Sequence, residues 1–207
     1  MKRMTMRELP YAGTLLRVMR ASFSGELGYE INLPALYTQA LIELLWSVGQ
    51  ALEVGVYGIE ALNLMRLEKG FIHIGADTDG TTMPQDIGLG KASAKKVANF
   101  VGRRSLLQPV GQDVQRMPLV GLQPVDRRTR LAVGAHIAAS PPPCEVDGFV
   151  TSSGFSPALQ QPIALAMLRS GGQRLGERLR VFHLGHEIAA EVVKTPFFDA
   201  AGDRLNG

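Results

Sequence analysis

Ser22-Phe23-Ser24-Gly25-Glu26-Leu27-Gly28-Tyr29-Glu30-Ile31 holds two glycines, with an aromatic side chain and an acid directly beyond the second. Glycine lets a backbone turn sharply or approach a flat group closely. Upstream, Leu15-Leu16-Arg17-Val18-Met19-Arg20 alternates loosely and reads as a strand. Downstream, Tyr29-Glu30-Ile31-Asn32-Leu33 does the same, so the pair is expected to form a β-hairpin around a glycine-bearing turn. In a strand of period two, Glu30 points to the face opposite Tyr29 and Ile31. Glu30 is then either a solvated residue on a half-exposed strand or an acid facing an apolar interior. The second case demands a donor partner, and a ligand can supply one.

Beyond the hairpin, Pro34 suits the first turn of a helix expected to run to about Leu52. Leu36, Ala40, Leu44 and Val48 share one stripe, with Leu41, Leu45 and Leu52 beside it, and Glu43 is the helix's only charge. Such a helix is expected to be largely covered by protein, since burying one leucine contributes roughly 1.5–3 kcal/mol. A second helix is expected from about Ile59 to Lys69, stopped by Gly70. On it Glu60, Asn63 and Arg66 recur at helical spacing. The Arg66 guanidinium suits a carboxylate, in a surface salt bridge or in a ligand.

Phe71-Ile72-His73-Ile74 reads as a short strand entering the loop Gly75–Gly80. Asp77-Thr78-Asp79-Gly80 fails as an EF-hand, because Thr82 and Gly88 stand where glycine and an acid are required. A turn capped by Asx side chains fits it better. Gly88-Leu89-Gly90-Lys91 is no phosphate loop, since Gln85 and Ala92 replace the required glycine and hydroxyl. A boundary is expected near residue 100, giving domains 1–99 and 100–207. Past it, Leu119–Gln123, Leu131–Ile137, Gly148–Thr151, Ile163–Leu168, Leu179–Leu184 and Ile188–Val193 are short apolar runs between Gly, Pro and Ser. That spacing describes a small β-barrel or sandwich. His183 and His186 have no third ligand nearby in sequence, and a hairpin is expected to turn them apart, so no metal site is assigned. Thr151-Ser152-Ser153-Gly154 lacks the spacing of a nucleophile elbow.

Composition narrows the class. Of 207 residues, 45% are hydrophobic and 20% charged, ordinary values for a chain with a core. The formal net charge of +3 comes without a dense basic cluster, which argues against nucleic acid; Lys95-Lys96, Arg103-Arg104 and Arg127-Arg128 read as solvated surface. Cys144 is the single cysteine, so an internal disulfide is excluded and a reducing cytoplasm is expected. No apolar stretch is long and uninterrupted enough to span a bilayer, and no signal peptide is visible.

The run Arg20–Ile31 resembles the motif of the aminomethyltransferase family, the T-protein of the glycine cleavage system and its folate-binding relatives. Leu67-Glu68-Lys69-Gly70-Phe71-Ile72, Asp77-Thr78-Asp79-Gly80-Thr81, Val150–Pro157 and Pro196-Phe197-Phe198-Asp199 agree with it in order. Within that family the chain is most similar to the C-terminal part of the alpha subunit of heterotetrameric sarcosine oxidase. The resemblance implies an α+β fold: part of the aminomethyltransferase folate-binding domain, antiparallel strands with two helices, followed by a small C-terminal β-barrel. It implies tetrahydrofolate as cofactor, with flavin and NAD only on other parts of the full complex. Glu30 matches the family position whose carboxylate takes the donor-rich edge of the pterin. Phe23 stands where relatives often carry tyrosine and packs on the ring, and Tyr29 supports the wall. Arg66 is the candidate for a folate-site arginine, although Leu62 stands where the family carries a further arginine one turn earlier. The family's general acid/base aspartate belongs to a preceding half of the fold, so no catalytic residue is assigned and the chain alone is expected to be inactive. The implied partners are the beta, gamma and delta subunits of sarcosine oxidase or the missing N-terminal half, with a homodimer as the alternative. The implied role is support for moving the one-carbon unit of oxidised sarcosine onto tetrahydrofolate. A fragment of a plain glycine-cleavage aminomethyltransferase and a non-catalytic folate-dependent regulatory protein are the alternatives.

Overall fold

Antiparallel pairing builds both sheets of the computed structural model, which describes residues 1–111, 113–138 and 145–206. Cys144 and the three preceding prolines lie outside the described residues. The chain divides into Met1–Arg66 with Ala201–Gly207, and Leu67–Ala200.

In the first unit β1 (Met6–Tyr11), β2 (Thr14–Met19) and β3 (Glu30–Asn32) form a sheet in that order. Ala12 and Gly13 link β1 to β2 with φ of 48° and 80°, the positive values that a two-residue hairpin turn demands. β3 pairs with β2 through Arg17↔Asn32, Val18↔Ile31 and Met19↔Glu30, so the hairpin expected around the glycines forms. The helix expected from Pro34 to Leu52 appears as α1 (Thr38–Gly49) flanked by 3-10 turns at Ala35–Tyr37 and Gln50–Leu52. Its exposure departs from expectation. Only Leu41 of α1 is buried. Leu36 is 87% exposed, Val48 66% and Leu52 81%, so the stripe that hydrophobic spacing marks as core faces solvent in this chain. α2 (Ile59–Glu68) follows, its last two residues belonging to the second unit, and Gly70 adopts φ 66° just beyond it. α3 (Gly90–Ala94), α4 (Arg103–Leu106) and α5 (Asp203–Asn206) are short.

The second unit is a closed six-stranded barrel of β4 (Leu119–Pro124), β5 (His136–Ala138), β6 (Val146–Ser156), β7 (Gln161–Leu168), β8 (Arg178–His183) and β9 (His186–Val193), in the order β4-β7-β6-β5-β8-β9. β4 closes it by pairing with both β7 and β9. Leu122, Ile137, Val150, Leu168, Val181 and Val192 fill the interior, each at most 1% exposed. Along β9 Ala190 and Val192 are buried while Glu187 and Ala189 are exposed, the alternation its sequence carries. His183 and His186 are direct register partners across the β8–β9 turn. A two-residue turn makes the flanking residues face each other, so the hairpin brings them together instead of turning them apart. Phe71–Ile74 is not a strand: Ala76 and Asp77 N–H both donate to the His73 carbonyl, and Asp77 Oδ2 accepts from His73 N–H. These local side-chain bonds compete with a ladder and win. Among the described residues no helix is long and apolar enough to cross a membrane.

β6 and β7 meet closely at Gly148, where a Cβ would stand 2.1 Å from the Met167 carbonyl oxygen. That neighbour is backbone and cannot swing away. Gly148→Ala is expected to cost about 1–3 kcal/mol and lower the thermal midpoint by several degrees, measured by calorimetry.

Candidate functional site

Glycine shapes the ribbon from Ser22 to Ile31 in two ways. Gly25 has φ 83°, and its N–H donates to Ser22 Oγ at 3.1 Å. Gly28 passes so near the Ala21 carbonyl that a Cβ would lie 2.9 Å from its oxygen. The close approach is thus to the chain itself. Glu26 N–H donates to Ser24 Oγ at 3.3 Å, Leu27 N–H to the Arg204 carbonyl at 2.9 Å, and Arg204 Nε to Glu26 at 2.8 Å. The ribbon is therefore held in place by serine caps and by α5.

On that frame Glu30 opens β3, exposed, and its carboxylate has no partner among the described residues. In this chain it is the solvated residue of the two alternatives. Tyr29 is 49% exposed and Phe23 half-buried. Arg66, on α2, is 5% exposed. The sequence places Phe23, Tyr29 and Glu30 on one ribbon, and the structure keeps them there.

The second unit contains a cavity of about 500 Å³ that the sequence did not announce. Its floor is built on Asp77, fully buried, whose Oδ1 accepts from Thr151 Oγ1 at 2.5 Å and Ser152 Oγ at 2.7 Å, and Oδ2 from His73 N–H at 2.9 Å. Consecutive strand residues normally point to opposite faces. A bulge between Val150 and Ser152 shifts the register, and both hydroxyls reach the same oxygen. Beside it Asp86 is bound by Arg116 through Nε at 2.9 Å and again through Nη2, with Met83 N–H donating at 2.8 Å. Hydrogen bonds to Asp86 raise the Arg116 pKa above the ordinary guanidinium value. Asp79 Oδ1 accepts from N–H and Oγ1 of Thr81, both at 2.8 Å, and from N–H at 3.0 Å and Oγ1 at 3.1 Å of Thr82. The Asx turn expected here is this one. Phe149, Met117 and Met167 supply the apolar wall. The missed signal was Asp79-Gly80-Thr81-Thr82, an acid followed by two hydroxyls. Among the described residues no group of three or more His, Cys, Asp or Glu is placed to hold a metal ion.

The Thr81 hydroxyl, aided by its N–H and by Thr82, pulls the Asp79 pKa below the ordinary value of 3.8. The sign follows: with the folded pKa depressed, the turn's stabilisation is complete above 3.8 and fades as pH falls below it. Carboxyl NMR titration is expected to give a midpoint under 3.8 for Asp79, moving up in Thr81→Val.

Comparison with known proteins gives concordant matches. Residues 1–96 match the GCVT N-terminal domain, and residues 118–199 the glycine cleavage T-protein C-terminal barrel domain. The sarcosine oxidase subunit alpha of Corynebacterium sp. (strain P-1) is 38% identical over 201 residues, covering 95% of this chain and 21% of that protein. The aminomethyltransferase of Synechococcus sp. (strain RCC307) is 36% identical over 199 residues, covering 95% of this chain and 52% of its own length. The crystal structure of aminomethyltransferase T of the glycine cleavage system from Bartonella henselae superposes with a TM-score of 0.75 at 28% identity, over 89% of this chain and 50% of that one. The chain spans about a fifth of the first relative and about half of the other two. With both domains present in order and the barrel closed as that fold requires, the chain belongs to the glycine cleavage T-protein (aminomethyltransferase) family.

Proposed function

We propose that the chain is the folate-binding portion of a protein like the sarcosine oxidase alpha subunit, supporting transfer of the one-carbon unit of oxidised sarcosine to tetrahydrofolate. The observation that carries this is the likeness to that subunit along 95% of the chain at 38% identity. When bound, the reduced folate supplies the nitrogen that accepts the carbon. Glu30 fits it chemically: an acceptor-only carboxylate with unengaged oxygens complements an amino group beside a ring N–H. Phe23 and Tyr29 flank that carboxylate as wall, and Arg66 on α2 serves as the site's cation. With this goes the division of the chain into 1–99, the folate-binding portion, and 100–207, the barrel domain.

The assembly follows from exposure. Leu36, Val48 and Leu52 leave an apolar face on and beside α1 that is larger than scattered surface leucines explain. We infer that the polypeptide bearing the remainder of the folate fold covers it, within a longer chain or as a separate subunit, in a multi-subunit enzyme. The other family role, that of a glycine-cleavage aminomethyltransferase, requires a lipoyl carrier protein as partner, and co-purification with one decides in its favour.

Calorimetric titration with tetrahydrofolate is expected to show saturable binding that weakens about tenfold or more in Glu30→Gln. Equal affinity of the two proteins removes Glu30 from the site. In sedimentation experiments the chain alone is expected to self-associate with rising concentration, and Leu36→Lys with Leu52→Lys to suppress this; a monomer throughout removes the covering surface.

A further inference from the structure

The cavity of the second unit is not used by the folate proposal, and its chemistry is distinct. Its volume of about 500 Å³ suits a small molecule. Four carboxylates, Asp77, Asp79, Asp86 and Asp113, line it against the guanidinium groups of Arg116 and Arg169. Arg116 is spent on Asp86 and on the carbonyls of Val110 and Thr81, and Arg169 stands 3.7 Å from Asp147. Carboxylates outnumber guanidinium groups in this lining four to two, so the lining as a whole favours a cation over an anion. Asp77 and Asp86 are committed too. Asp79 differs. All four hydrogen bonds of its carboxylate fall on Oδ1, and Oδ2 has no partner among the described residues. The turn thus fixes one carboxylate oxygen and presents the other. The same cavity is lined by the ring of Phe149, 38% exposed, and by Met117 and Met167. An aromatic face attracts a cation through its quadrupole, and thioethers mould to an irregular carbon body.

We propose that this cavity binds a small organic ammonium ion, its nitrogen on Asp79 Oδ2 and its carbon body against Phe149, Met117 and Met167. Fixing Oδ1 in advance removes the entropy that a free aspartate side chain loses on binding. The apolar wall separates an organic cation from a hydrated metal ion, which needs several oxygen ligands and gains nothing from thioethers.

Choline chloride is the probe, with the uncharged isosteric alcohol, carbon in place of nitrogen, as control. Amide NMR of the full chain is expected to show saturable shifts at Asp79, Thr81 and Phe149 with choline and none with the alcohol. Asp79→Asn keeps an oxygen for the four turn bonds while removing the charge, and is expected to weaken choline about tenfold or more. Phe149→Leu, an independent change elsewhere in the lining, is expected to weaken it by a smaller factor. Absence of saturation, unchanged affinity in both variants, or equal binding of the alcohol overturns the proposal. None of these outcomes depends on whether Glu30 holds a folate.

Discussion

A fully buried carboxylate organises the barrel unit. Asp77 has left water entirely, a transfer that is tolerated only when its lone pairs are satisfied. The donors are two hydroxyls from β6 and one N–H from the loop at His73. A regular strand offers only every second side chain to one face, so the bulge at Thr151 is a condition of the bond set and not an irregularity beside it. Once Asp77 is held, the Gly75–Gly80 loop has its place on the barrel, and the turn headed by Asp79 lines one cavity with Phe149 and Met167. A second anchor lies at the start of the unit. Glu68 accepts from Ser156 Oγ at 2.5 Å, and Lys69 Nζ donates to the carboxylate and carbonyl of Asp199 at 2.6 Å. Three buried charged side chains thus tie the entry and exit of the unit to its strands.

The first unit is stabilised differently. Its buried side chains are few, Leu16, Leu41 and Leu205 among them, and its sheet has only three short strands. A three-stranded sheet needs an apolar face packed on something else. Here many large apolar residues on α1 and the segment after it are exposed instead, and the order of the ribbon rests on serine caps and on Arg204 with Glu26. A barrel core that closes on itself and an apolar helix face that does not are features of one sequence. The first is satisfied among the described residues and the second is not.

The barrel was legible in the sequence because closed antiparallel sheets alternate inside and outside residues, and six runs of that kind lie between turn residues. The helices were legible in type and near their ends because Pro34 and Gly70 mark them. β1 was missed: Met6–Tyr11 has both faces exposed, so hydrophobic alternation never develops, and only Ala12-Gly13 hinted at a hairpin. The burial of α1 was overestimated because periodicity reports what a face is suited to meet, not whether its partner lies in the same chain. The Phe71–Ile74 strand does not form because the Asp77 carboxylate takes the His73 N–H, and that carboxylate is itself held by Thr151 and Ser152, partners that no local window contains. Glu68 and Lys69 are buried anchors whose partners, Ser156 and Asp199, likewise lie far away in sequence. The motif around Glu30 was legible as a glycine-bent hairpin; that Gly28 serves a backbone contact with Ala21 depends on geometry that residue types do not carry.

Glu30 and Asp79 each carry a carboxylate oxygen without a partner among the described residues, and their surroundings separate what each can do. Glu30 sits at the end of an exposed strand on a flexible side chain, with no donor fixing either oxygen. Binding there must order the side chain as well as the ligand, so affinity depends on walls that restrict both. Asp79 is ordered before any ligand arrives, because the bonds from Thr81 and Thr82 already hold it. Its cost of binding is confined to the ligand and to displaced water. The proposed site at Glu30 therefore rests on a side chain that binding must order, whereas the proposed site at Asp79 has its neighbours within the barrel unit alone.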